Sequence, residues 1–232
     1  MSSKPYIQIE GVRKGYKIGG ESLSIFSNLN LQIEKGEFVA IMGPSGSGKS
    51  TLLNMLAGID HVDSGELRIG NQRLDQMGEG ARATWRSGCM GIVFQFYNLL
   101  PMLNAAENVE LPLMLKHLSV KDRRSRVDKV LTLVGLEGRQ KQSPSLMSGG
   151  QQQRVGIARA IVGDPALLLC DEPTGDLDRK SADEILQILT YLNREMGKTI
   201  IMVTHDQQAT EYAQRVLHLD KGTFNEELRK AS

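Results

Sequence analysis

A chain of 232 residues with 40% apolar side chains is long enough for one large α/β domain or two small ones around a real core. Its 28 basic and 27 acidic residues leave a net charge of +1, so nothing in the balance draws it to nucleic acid or to an anionic membrane surface. Two distant cysteines, Cys89 and Cys170, have no C-x-x-C spacing and no neighbouring His cluster, which argues against a disulfide framework or a zinc site and fits a reducing cytoplasm.

The first residues, Met1 to Tyr6, lack the apolar centre of a signal peptide, and no apolar run approaches the roughly 20 residues that span a bilayer. Any membrane role therefore has to be borrowed from a partner. Ile7 to Val12 and Leu29 to Ile33 alternate apolar with polar and predict an antiparallel entry sheet, broken at Gly19-Gly20. Tyr16 is expected in the loop after the first strand, where its ring can either pack or stack on a base.

Glu37 to Met42 is an apolar run of strand type, and Thr51 to Ala57 reads as helix. Between them Gly43, Pro44, Ser45, Gly46, Ser47, Gly48, Lys49, Ser50 and Thr51 match the phosphate-binding loop G-x-x-x-x-G-K-[ST] without a mismatch. The chemistry needs these residue types. Glycines let backbone N–H groups turn toward a polyphosphate, and the helix start adds free donors and partial positive charge. Lys49 is placed to reach the β- and γ-phosphates, and Ser50 offers a hydroxyl to Mg²⁺.

Glu66 to Ile69 is the next strand, set off by the turns Asp63-Ser-Gly65 and Gly70-Asn71. Gly91 to Phe94 is a compact apolar strand ending at Gln95, whose amide suits Mg²⁺ or a water but in isolation reads as a surface amide. From Asn104 to about Leu136 the composition turns helical, with helix starts at Asn104 (Glu107 three residues on) and Ser119. Val127, Val130, Leu131 and Val134 form one buried stripe, while Lys121, Arg123, Arg124 and Arg126 read as a solvated face.

Ser148, Gly149, Gly150 and Gln151 combine a capping box with two glycines at a helix start, which caps a helix and also exposes donors to an anion. Ala166 to Cys170 is a buried strand running into Asp171 and Glu172, the pattern by which phosphate-loop enzymes hold magnesium at a strand end. Asp171 is the expected metal carboxylate. Glu172, one position on, is the expected general base. Thr174 to Asp178 is a polar turn into a helix with Ile185, Ile188, Leu189 and Leu192 on one face. Thr199 to Val203 is another core strand. It ends at His205, which converges with Gln95 and Asp171 on one edge of an open parallel sheet. Val216 to Leu219 and the turn Asp220-Lys-Gly222 close the domain, with a charged tail from Asn225.

The ordered set of phosphate loop, Gln95, Met147 to Gln151, Leu167 to Glu172, Gly175 to Asp178 and His205 resembles the nucleotide-binding subunit of ATP-binding-cassette proteins, over nearly the whole chain. The continuation Gln152-Gln-Arg-Val-Gly-Ile-Ala-Arg-Ala160 makes the signature far more specific than a phosphate loop alone. Met147 departs from the usual leucine, and Asp176 from the usual small residue or asparagine. The resemblance implies a single α/β domain over residues 1–232: a phosphate-loop NTPase core with a mostly parallel sheet, an antiparallel β entry subdomain at about 5–35 and a helical insertion subdomain at about 100–160.

It also implies an ATPase that uses ATP and Mg²⁺ and pairs head to tail with a second copy. Residues 43–51 of one copy then face residues 147–151 of the other. Implied roles place Tyr16 on adenine, Gln95 on Mg²⁺, Ser148 and Gly150 on the partner's γ-phosphate and His205 on the γ-phosphate in cis.

The wording of residues 95–101 and 108–112 is similar to the branch serving lipoprotein release, macrolide-type export and mechanotransmission. The expected partner is an integral membrane permease, with a periplasmic adaptor as an optional third component, and no nucleic acid. The expected place is the cytoplasmic face of the inner membrane. Phe96, Tyr97, Leu99, Leu100 and Leu103 give an apolar loop on which a permease helix is expected to dock. A non-transport cassette that scaffolds or transmits force is the alternative. Chromosome and DNA-repair ATPases usually carry a long coiled coil between phosphate loop and signature, and no heptads lie there.

Overall fold

The computed structural model describes residues 4–227. Its strands are β1 (Ile7–Ile18), β2 (Glu21–Ile33), β3 (Phe38–Met42), β4 (Ser64–Ile69), β5 (Gln72–Arg73), β6 (Met90–Val93), β7 (Leu167–Asp171), β8 (Thr199–Val203), β9 (Arg215–Asp220) and β10 (Thr223–Glu227). The helices are α1 (Lys49–Leu56), α2 (Glu79–Cys89), α3 (Ala105–Glu110), α4 (Val120–Leu133), α5 (Gly149–Ile161) and α6 (Arg179–Arg194).

A central sheet in the order β10-β9-β3-β8-β7-β6 is parallel except for its antiparallel edge strand β10. A second sheet, β2-β1-β4-β5, is antiparallel throughout. The core strands are apolar on both faces because both are covered. Phe38, Ala40, Leu168, Cys170, Ile200 and Met202 pack with α3 to α6, whereas Val39, Ile41, Leu167, Leu169, Ile201 and Val203 pack with α1 and the antiparallel sheet. Alternation along each strand thus builds three layers.

Register brings the site together. Ile41 of β3 and Asp171 of β7 both stand opposite Val203 of β8, so the residues following these three strands emerge side by side on one sheet edge.

Three local expectations change. Tyr16 lies inside β1, paired with Leu23, because the hairpin runs on to the Gly19-Gly20 turn instead of ending near Val12. Asn225 belongs to β10, which pairs with β9 across the Lys221-Gly222 turn, so the charged tail begins as an edge strand. Residues beyond 227 lie outside the described part. The helix α2 had no sequence counterpart: it contains Gly80 and Gly88 and buries only Trp85, too little apolar repeat to announce itself.

Candidate active site

The phosphate loop leaves β3 in the middle of the central sheet and enters α1 through Gly48, whose φ of 101° suits glycine alone. A Cβ there would sit 2.9 Å from both Ile25 and Phe26, so the position is fixed by packing as well as by backbone. With glycine as N-cap, α1 has no side-chain cap, and its first N–H groups are left for another acceptor. The Lys49 ammonium, 2.8 Å from the carbonyl oxygens of Gly43 and Pro44, lies within the turn of the loop. Ser47 Oγ is buried with no hydrogen-bond partner among the described residues, a polar atom the protein alone leaves unsatisfied. An anionic oxygen cluster fits such a cradle.

A cleft of about 490 Å³ joins Ser45, Gly46, Lys49 and Ser50 to Asp171, Glu172 and His205. Burial pushes the Asp171 carboxyl above its ordinary range, the neighbouring Glu172 adds to this, and Lys49 opposes it. A cation near Asp171 would favour its charged form. No group of three or more His, Cys, Asp or Glu capable of holding a metal exists among the described residues. A divalent ion here has to draw on phosphate oxygens besides Ser50 and Asp171, which is how magnesium is commonly held.

Glu172 has a φ of 46°, unusual for a residue with a side chain, and its N–H donates to the Val203 carbonyl at 2.9 Å. Its Oε2 lies 2.8 Å from His205 Nδ1, and the imidazole is 66% exposed toward solvent. Gln95 approaches the same carboxylate: a Cβ on Gly175 would stand 3.1 Å from Gln95 Nε2 and 3.3 Å from Glu172 Oε2. Asp171, Glu172, His205 and Gln95 are thus brought to one place. A carboxylate held this way can accept a proton from a water lying between it and a phosphate.

Tyr16 lines a different cleft of about 640 Å³, which shares Leu23 with the first. Its phenol donates to Asp60 Oδ2 at 2.5 Å, and the Lys14 ammonium sits 4.8 Å from its ring centroid while bonding Asp60 Oδ1 at 2.8 Å. Burial and the Asp60 bond raise the phenol's pKa. Burial works against ionised Asp60, but hydrogen bonds from Lys14 and Tyr16 hold its pKa below the ordinary value. Lys14 and Asp60 escaped sequence reading because a lone cation and a lone acid, 46 positions apart, carry no spacing rule.

Ser148 caps α5 through a reciprocal box with Gln151: its Oγ accepts from the Gln151 N–H at 3.3 Å, and Gln151 Oε1 accepts from the Ser148 N–H at 3.1 Å. Met147 is buried in the core much as a leucine would be. Residues 148–151 line neither cleft of their own chain. Sequence reading also passed over Gln153, fully buried among loop carbonyls, and gave no role to Arg159. The signal lay in their spacing from Gly149 and Gly156 on one helix face.

A family model described as ABC transporter matches residues 26–175, more than half of the chain. The chain is 44% identical over 225 residues to the ABC transporter ATP-binding protein MJ0796 of Methanocaldococcus jannaschii, covering 95% of this chain and 96% of that one. It is 41% identical over 221 residues to the lipoprotein-releasing system ATP-binding protein LolD of Chromohalobacter salexigens, covering 95% and 93%. Among solved structures, a dimeric post-hydrolysis state of the cassette MJ0796 bound to ADP and Pi superposes with a TM-score of 0.89 at 42% identity, over 97% of this chain and 100% of that one.

Proposed function

The chain belongs to the ABC transporter family and is an ATPase of the cassette type, and from that premise we propose that two copies close head to tail on two ATP molecules and power a separate membrane permease. One observation carries the pairing: the N-terminus of α5, with two glycines in its first turn, lies outside the cleft its own chain builds and needs a second copy to meet a phosphate. The dimeric form of the similar cassette supports this reading.

ATP brings the γ-phosphoryl group to be transferred to water, and Mg²⁺ brings charge that neutralises the phosphate oxygens. Residues 43–51 wrap the phosphates and Lys49 turns to the β- and γ-oxygens. Ser50, Asp171 and Gln95 would hold the metal's protein side, and Tyr16 would stack on the adenine. Glu172 takes the proton of the attacking water, while His205 orients that carboxylate and contacts the γ-phosphate. Ser148 and Gly150 contact the partner copy's γ-phosphate, and Gly149 and Gln151 complete that helix start.

The permease reading rests on the surface beside Gln95. Phe96 is 70% exposed and Met102 75%, and Leu100 is exposed beside them. Phe94, two residues before Phe96, lines an apolar cleft of about 560 Å³ together with Ile92, Leu111, Pro112, Leu115 and Arg159. An amphipathic helix laid in such a groove concentrates its energy in a few anchors, each costing about 2 kcal/mol or more on truncation. Among the described residues no helix is long and apolar enough to cross a membrane; the proposed contact is with the cytoplasmic side of the permease, the arrangement implied by the likeness to ATP-binding subunits of transporters. The likeness to a lipoprotein-releasing ATP-binding protein supports a reading in which the permease is of the export or lipoprotein-release type. Tyr97 and Leu99 are half-buried, Tyr97 against Gly149 of α5 and Leu99 against the core, so Phe96 and Leu100 are the residues to change. With both replaced by Ser, the subunit should melt as wild type but no longer sediment with membranes carrying its permease. Undiminished sedimentation would remove this surface from the role.

A further inference from the structure

One face of α5 carries Gly149, Gln153, Gly156 and Arg159, spaced by four, three and three residues. The loop that contains Gln95 lies along this face. A Cβ on Gly149 would stand 2.7 Å from Tyr97 Oη, and one on Gly156 would stand 3.7 Å from the Tyr97 carbonyl oxygen. Arg159 donates to the Tyr97 carbonyl at 2.8 Å and the Asn98 carbonyl at 2.5 Å, the two positions of the loop with left-handed backbone, at φ 56° and 48°. Gln153, 0% exposed, donates through Nε2 to the Phe94 carbonyl at 3.1 Å and to the Pro173 carbonyl at 2.6 Å. One amide therefore joins the residue before Gln95 to the residue after Glu172.

We infer that Gln153 is a positioning residue that locks the Gln95 loop and the Glu172 segment onto α5, so that the metal-side amide, the catalytic base and the helix start offered to the partner's nucleotide shift as one body. The inference rests on the roles proposed above for Glu172 and Gln95. It accounts for a fully buried amide in a helix otherwise packed with Val155, Ile157 and Ala158, where an apolar side chain would serve packing equally well. It also gives the permease groove a mechanical path to the nucleotide, because Arg159 lines that groove and holds the same loop from its far end.

Gln153→Met keeps the volume and removes the donor. In the full-length chain it should leave KM for ATP within about twofold and lower kcat by about 10²-fold, the cost of a misplaced reacting group. Amide hydrogen exchange, read without nucleotide, should speed up at residues 94–98 and 172–175 together. Added to Glu172→Gln, it should lower the residual rate little further, since both act on the same base. If Gln153→Met does not melt cooperatively, Gln153→Asn, whose amide is too short to span both carbonyls, carries the same expectations. A folded variant with wild-type turnover, or faster exchange confined to α5, overturns the inference while leaving the roles of Glu172 and Gln95 intact. Normal hydrolysis by Glu172→Gln alone would instead sink the reading on which it stands.

Discussion

Glu172 combines a left-handed backbone, a hydrogen bond that extends the β7–β8 ladder, and a carboxylate oxygen 2.8 Å from His205. A non-glycine residue is kept in that conformation, at a cost of order 1–3 kcal/mol, only where its surroundings overdetermine it. Glu172→Gln preserves shape and backbone, so ATP binding should persist while steady-state turnover falls by about 10²- to 10⁴-fold. Hydrolysis near the wild-type rate would take the base role from Glu172. The Lys14–Asp60–Tyr16 cluster makes a second residue-scale prediction. Against the effect of burial, hydrogen bonds from Lys14 and Tyr16 hold the Asp60 carboxyl below the ordinary aspartate range, so its contribution to stability is present above that range and lost as pH falls through the lower folded value. Lys14→Met, which removes the cationic partner of Asp60, should therefore destabilise most near neutral pH. The gap in melting temperature from wild type should narrow as pH drops below about 4. A gap independent of pH would mean that Lys14 acts through packing alone.

At the level of elements, α1 and α5 each begin with glycine-rich helix starts, and in the proposed pair they serve different copies. Lys49→Ala should abolish binding of a fluorescent ATP analogue to the isolated chain. Ser148→Arg should bind it nearly as wild type, since Ser148 lines neither cleft of its own chain. Ser148→Ala is the control for the lost cap, worth about 1 kcal/mol. Loss of binding in Ser148→Arg beyond that of Ser148→Ala would contradict the assignment. Elements with a strong repeat or a fixed spacing were legible in the sequence: the apolar strands β3, β7 and β8, the phosphate loop, and the caps at Asn104, Ser119 and Ser148. What was not legible depends on distant partners. The length of the β1–β2 hairpin follows from pairing that no local pattern reports. The helix α2 carries Gly80 and Gly88 and gains its place from Trp85 against the second core cluster. Gln153 reads as one more polar residue after a signature until its two carbonyl partners, 59 and 20 positions away, are known.

On the scale of the whole molecule, the three layers divide the work. The central sheet sets Gly43, Asp171 and His205 on one edge, and α5 both starts at the Ser148 cap and holds the Gln95 loop through Arg159. In the proposed head-to-tail pair, half of each phosphate site is supplied by another copy, and closure of the pair is the step that ATP can drive. The most direct measurement is the solution mass of Glu172→Gln by light scattering, with and without ATP and Mg²⁺, alone and combined with Ser148→Arg. The mass should double on adding ATP to Glu172→Gln and stay that of a single chain when Ser148→Arg is present. A monomer under all conditions, or a dimer that forms regardless of ATP and of Ser148→Arg, would contradict the head-to-tail site.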